Sequence, residues 1–123
     1  MQEYVTGINA TEQGGIFIDA AGVCDIRVSH NIIRGPGSIS LNYCFGLDNY
    51  SAGSGTIRAW NNIIYDWATN TTSGGINQND INFTSYIYNS TIQNCYFGIR
   101  RNTGTAIAKN VITQNCADGF NGT

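Results

Sequence analysis

The sequence predicts an all-β chain whose short parallel strands stack on one another, a parallel β-helix of about four to five coils. Three features predict it: the kind of apolar residue, a set of matching columns at near-regular intervals, and pieces too short for helices. Seventeen of the 123 residues are Ile and only two are Leu, with many Thr, Tyr and Val. That mix suits pleated surfaces better than helices. Fifteen Gly and sixteen Asn supply residues that tolerate left-handed corners.

The columns begin with Gly followed by an apolar residue: Gly15-Ile16, Gly46-Leu47, Gly75-Ile76, Gly98-Ile99 and Gly119-Phe120, at spacings of 31, 29, 23 and 21. A second landmark follows each of the first four, in VSHNII, AWNNII, IYNSTI and IAKNVI, from Val28, Ala59, Ile87 and Ile107. Aligned without a gap, these give a corner column Asn31, Asn62, Ser90, Asn110 and an apolar column Ile33, Ile64, Ile92, Ile112. Each unit therefore reads as a strand opening on Gly, a turn, an alternating strand, an Asn corner, a brief strand and a loop back. Units of this length made only of short strands stack about 4.8 Å apart. Amides in the Asn column are expected to bond from one coil to the next. Residues 1–14 carry a Val5/Ile8 apolar element and are expected to form a cap or partial coil, with the repeats over 15–123.

The segments RVSHNIIRG, RAWNNIIYDW and IAKNVITQNCADGF resemble the parallel β-helix repeats of the pectate-lyase-like superfamily, over residues 15–120. The resemblance implies a right-handed coil, and many unrelated activities share that fold. It also favours an extracellular or cell-surface setting, although the N-terminus has no signal-peptide pattern.

Cys95 and Cys116 fall at the same place in adjacent repeats, with Cys44 close to the equivalent position. The coil spacing is within reach of a disulfide, but parallel side chains oppose its dihedral. A reduced, buried stack is expected. No CxxC spacing occurs and the one His is His30 beside the Asn corner, so neither a metal nor another cofactor is expected.

After each Gly-apolar pair, residues should alternate in and out. The first outward column is then Phe17, Asp48, Asn77, Arg100 and Asn121, and the second Asp19, Tyr50, Asn79 and Asn102. The returns Arg34 to Cys44 and Tyr65 to Gly74 emerge beside this face, making a groove. Proteins of the resembled fold commonly hold polysaccharide in that position. Tyr50 or Trp67 would stack on sugar rings, and Asp19, Asp48, Asn77, Asn79, Arg100 and Asn102 would bind hydroxyls or carboxylates. Strict alternation sends Arg101 inward, so the strand is expected to end or bulge there, or Arg101 to find a partner. A further outward column stacks Arg27 and Arg58 on another face.

The resemblance implies a basic residue with acidic calcium ligands for a lyase, or clustered Asp residues for a hydrolase. The eight acids here are scattered, with no Asp-Asp pair and no Gly-His-Gly. A non-catalytic carbohydrate-binding or structural module is therefore expected, with a fragment or remnant of a polysaccharide lyase or hydrolase as the alternative. Charged residues make up 11 % of the chain at net −2, with no basic stripe, so nucleic acid is not an expected partner. No apolar run is long enough for a spanning helix, and no membrane partner is expected. Gly119-Phe120 opens a fifth coil just before Thr123, so a homo-oligomer, most simply a dimer, is expected to cover that open end.

Overall fold

The computed structural model describes residues 2–3, 13–37 and 43–122. Most of the expected cap over 1–14 and part of the Arg34 to Cys44 return lie outside them. The described residues form twelve strands and no helix. They are β1 (Gln2–Glu3), β2 (Gln13–Ile18), β3 (Val23–Ser29), β4 (Ile32–Arg34), β5 (Cys44–Asn49), β6 (Ser54–Trp60), β7 (Ile63–Tyr65), β8 (Gly74–Tyr88), β9 (Thr91–Gln93), β10 (Phe97–Lys109), β11 (Ile112–Gln114) and β12 (Asp118–Asn121). The all-β expectation holds.

Every strand pair is parallel. One sheet runs β1-β4-β7-β9-β11. The other runs β12-β10-β8-β5-β2, with β3 on β6 and β6 on β8. Sequence repeats thus become neighbours in space. The glycine pairs align as expected: Ile16 lies opposite Leu47, Leu47 opposite Ile76, Ile76 opposite Ile99 and Ile99 opposite Phe120.

The glycines are required by the approach of the two sheets. A β-carbon at Gly15, Gly46 or Gly75 would run into Cγ2 of Ile33, Ile64 or Ile92 respectively. Those isoleucines belong to one continuous core with Ile18, Val28, Leu47, Ile57, Ala59, Trp67, Ile76, Phe83, Ile87 and Ile99. Burying each large apolar side chain contributes about 1.5–3 kcal/mol. Trp67, expected at the groove, is only 2 % exposed. Its indole fills the space beside Gly15, Gly35 and Gly46, so it is core and open to no ligand.

The second set of columns holds through three repeats and slips by one residue in the fourth. Val28 pairs Ala59 and Ala59 pairs Ile87, but Ile87 then pairs Ala108 rather than Ile107. Likewise Thr113, not Ile112, stands opposite Ile92. A one-residue slip exchanges the two faces of a strand. Ile107 and Ile112 are accordingly 42 % and 62 % exposed, while Val111 packs against the core. The offset is 21 residues, matching Asn94/Asn115 and Gly98/Gly119.

The slip also corrects the Asn corner. The left-handed residues are His30, Asn61, Asn89 and Asn110, with φ of 58°, 55°, 48° and 54°. Asn visits this region at little cost because its short polar side chain bonds locally. The Asn61 amide lies 3.0 Å from His30 Nε2, and Asn110 Nδ2 donates to Asn89 Oδ1 at 3.1 Å. His30 is thus itself a corner residue, where the sequence placed it beside the corner. Asn31, Asn62 and Ser90 form the adjoining column, and Val111 replaces Asn110 as its fourth member. Asn62 Oδ1 accepts from the Asn31 backbone and amide, both at 3.1 Å, and Asn62 Nδ2 donates to Val28 O at 2.9 Å. Ser90 Oγ accepts from the Asn62 backbone at 3.3 Å. A second corner repeats the device at Asp66, Asn94 and Asn115, with φ of 63°, 52° and 51°.

At Arg101 the register of β10 against β8 shifts, and shifts again after Thr103. Arg101 Nη1 donates to Gly104 O at 3.4 Å. The expected bulge is there, and it gives the guanidinium an acceptor.

Candidate functional site

The second outward column survives as a surface feature. Asp19, Tyr50 and Asn79 line an open groove of about 770 Å³, with Phe17, Ser51, Ala52, Asp80, Ile81, Asn82 and Thr103. Phe17 and Tyr50 are 44 % and 48 % exposed, and Ile81 76 %. Asn102 joins the site through its neighbour, donating from Nδ2 to Asn79 Oδ1.

Local bonding explains why these side chains point outward. Tyr50 follows β5, and its backbone N–H donates to Ile18 O at 3.1 Å. Ser51 Oγ accepts from Ala20 N at 3.2 Å and reaches Asn49 Oδ1 at 2.9 Å and Ile18 O at 3.0 Å. The corner after β2 and β5 is thereby fixed, and Asp19 and Tyr50 are left on its outer side.

Beneath the groove runs a buried amide network. Asn49 Nδ2 donates to Gln78 Oε1 at 3.1 Å, and Ser85 Oγ donates to the same oxygen. Gln78 Nε2 donates to Asp80 O at 2.7 Å. Asn49 and Gln78 are 1 % and 0 % exposed, so the network has to be internally satisfied. It anchors the backbone of Asp80. That residue is 5 % exposed, with Oδ1 accepting from Asn82 N at 2.8 Å. Among the described residues, Asp80 Oδ2 has no hydrogen-bond donor.

Three of the expected site residues lie elsewhere. Asp48 and Asn77 are 0 % and 1 % exposed, and Arg100 stands beside Asn77 in register. Asn77 Nδ2 donates to Asp48 Oδ1 at 2.8 Å and lies 3.3 Å from Tyr43 Oη. The Arg100 guanidinium carbon lies 5.4, 5.6 and 6.0 Å from the ring centres of Phe97, Tyr43 and Phe45. Tyr43 and Phe45 meet edge to face and roof this polar column over. The first outward column is therefore closed along Asp48 and Asn77, and open at Phe17. Alternation gives the direction of a side chain but not what later folds over it.

Asp80, Ile81, Asn82 and Ser51 were not picked out from the sequence. The signal was the run Asn79-Asp80-Ile81-Asn82, through which β8 continues where the first two repeats break between strands, as β10 does in the fourth. On the opposite part of this sheet, Arg27 and Arg58 pair in register as expected. Asp25 bonds both: its carboxylate lies 3.3 Å from Arg27 and also contacts Arg58. The Thr56 hydroxyl, 2.8 Å away, together with Arg58 and Arg27, holds the Asp25 carboxyl below its ordinary range.

Among the described residues, the cysteines are free thiols and no group of three His, Cys, Asp or Glu side chains could hold a metal ion. Burial pushes the Cys95 thiol up to about 12, and burial likewise raises Cys44, whose sulfur lies 3.1 Å from the Thr69 hydroxyl. Neither is a nucleophile in this state. Comparison with protein-family models, with curated proteins and with solved structures returns no match.

Proposed function

We propose that the chain is a short right-handed parallel β-helix of the pectate-lyase-like kind, acting as a non-catalytic carbohydrate-binding module. The winding is supported by in-register parallel strands whose partners lie one sequence repeat apart, and by columns of Gly and left-handed Asn. Crossovers between parallel strands are right-handed in nearly all known sheets. The binding reading rests on one observation: the exposed rings of Phe17 and Tyr50 stand in one open groove with Asp19 and Asn79. Aromatic rings offer large rigid apolar contact at little entropic cost, and the few polar groups beside them fix orientation. Sugars present that combination of an apolar face and an equatorial rim of hydroxyls.

A glycan array followed by titration of the best hits tests the reading. Tyr50→Ala should weaken binding about tenfold or more while leaving the thermal melt within a degree or two. Absence of glycan binding at millimolar concentration, or full affinity in Tyr50→Ala, overturns it.

Self-association belongs to the same proposal. Among the described residues, β11 and the Thr105–Lys109 part of β10 each pair on one side only. Ile112 and Phe120 expose apolar surface at that end. A second copy of this chain, joined edge to edge, would satisfy both the unpaired backbone and the apolar surface. Light scattering after size-exclusion chromatography should give a dimer, and a monomer at all concentrations overturns this part.

A further inference from the structure

We propose that the sheet face carrying Arg27 and Arg58, built from β3, β6 and the second half of β8, is a separate glycan site that takes sugars esterified with sulfate. It lies apart from the groove and does not depend on the reading given for the groove.

Stacking creates the anion site. The sequence has no basic stripe, yet Arg27 and Arg58 stand opposite each other on neighbouring parallel strands, about 4.8 Å apart. Like charges so placed repel. Asp25 ties them together: Arg27 Nη2 donates to Oδ2 at 3.3 Å, Arg58 Nη1 donates to Oδ1, and the Thr56 hydroxyl donates to Oδ1 at 2.8 Å. One carboxylate offsets one of the two guanidinium charges, so a positive charge remains. It also occupies one nitrogen of each guanidinium, and the others have no partner among the described residues. Both side chains are exposed. The other arginines are engaged elsewhere: Arg34 lies 3.4 Å from Asp66, Arg100 sits among aromatic rings, and Arg101 donates to Gly104 O. Arg27 and Arg58 are thus two oriented forks with donors to spare.

The shape of the anion decides between ligands. A sulfate ester has three terminal oxygens and can present one pair to each fork. A carboxylate and a phosphodiester each have two, enough for a single bidentate contact. A sulfate ester therefore engages both arginines where a uronate or a nucleic-acid backbone engages one.

Aromatic rings continue the same columns. Tyr86 stands next to Arg58 in register, and Trp60 and Tyr88 pair in the column beside it. The Arg58 guanidinium carbon lies 6.0 Å from the Tyr86 ring centre, and the Tyr86 and Tyr88 rings are 6.2 Å apart. All three rings are half-buried, so each keeps part of its surface open. Apolar ring surface beside an anion site suits a sugar bearing a charged ester, whereas a bare ion uses the arginines alone.

Calorimetric titration of the full chain at physiological ionic strength tests the proposal. The probes are β-1,4-linked glucose tetramers that are sulfated, carboxylated at C6 or unsubstituted, with inorganic sulfate and a single-stranded oligonucleotide of matched charge. The sulfated tetramer should bind about tenfold or more tightly than every other probe. Arg27→Gln and Arg58→Gln, both at exposed positions, should each weaken it about tenfold. Arg34→Gln removes one positive charge from the other sheet and should change the affinity by less than about twofold. Equal or tighter binding of any other probe overturns the proposal, as does no binding of the sulfated tetramer. Unchanged affinity in both arginine variants, or an equal loss in Arg34→Gln, overturns it too. The groove reading is tested separately by the glycan array and Tyr50→Ala, so failure here leaves it standing.

Discussion

Replacing Cys95 with Ala should flatten the alkaline limb of the protein's stability curve. The Cys95 side chain is buried, and removal from water raises its thiol from an ordinary 9.0 to about 12, with a smaller rise from the neighbouring Cys116. The folded chain therefore holds this proton more tightly than the unfolded chain does. The sign follows: the stabilisation is fully present below pH 9 and is lost as pH rises from there through about 12. Between about pH 8 and 10 the linkage amounts to roughly 1–1.5 kcal/mol, because the unfolded thiol ionises in that interval and the folded one does not. Urea midpoints measured across this range, converted to free energy, give the assay. The wild type should lose roughly 1–1.5 kcal/mol more than Cys95→Ala. Tyrosine ionisation affects both proteins and cancels in the difference. The variant should also carry a constant offset of about 1–2 kcal/mol from the atoms removed. Parallel curves would refute the reasoning, since they would mean that the folded thiol ionises as freely as the unfolded one.

Other expectations can be checked by simple variants. Gly46→Ala should destabilise by about 1–3 kcal/mol or more on denaturant titration, because its β-carbon would meet Ile64 Cγ2 and Trp67. Asn89→Gly should be nearly neutral and Asn89→Val should cost about 1–2 kcal/mol, since φ there is 48°. Asn62→Ala should cost about 2–3 kcal/mol, as it removes one amide donor and one shared acceptor from a residue only 2 % exposed. Thr56→Val should move the Asp25 titration midpoint up toward its ordinary value, read by NMR, because the Thr56 hydroxyl is the main cause of its depression. That depression favours the folded state above the ordinary carboxylate range and fades as pH falls through the lowered midpoint.

Much of the architecture was legible because stacking turns sequence period into register. The Gly-Ile columns carried the most information: a residue without a β-carbon, repeated where two sheets nearly touch, has only one structural explanation. The candidate site was legible in part. Asp19, Tyr50, Asn79 and Asn102 were readable by alternation alone and do share one surface. Asp48, Asn77 and Arg100 obey the same alternation, yet Tyr43 and Phe45 cover them. A covering contact depends on how a return folds back, which has no period to read. Asp80 was missed for a related reason, lying where β8 runs unbroken through a stretch that separates two strands in the first two repeats.

The fourth repeat shows why similarity of letters is weaker than similarity of spacing. Aligning Ile107 with Ile87 and Ile112 with Ile92 matches two isoleucines and places Asn110 over Ser90, and every one of those matches is a residue out. The competing alignment matches Ala108 with Ile87, Val111 with Ser90 and Thr113 with Ile92, a poorer set by identity. It wins because it puts Asn110 over Asn89, both with positive φ and joined by their amides. In the rejected register Lys109 would take the left-handed corner at about 1–2 kcal/mol, whereas an isoleucine turned outward gives up about 1.5–3 kcal/mol of burial. The two energies are of similar size, so one corner alone does not decide the register. The second corner does: Asn115 stands over Asn94 at the same offset of 21, and Gly119 over Gly98. Slipping the strand between them would need an extra residue removed from one side and restored on the other. Backbone geometry at two corners outweighs two exposed isoleucines, and those isoleucines, with Phe120, are what give this end of the molecule its apolar surface.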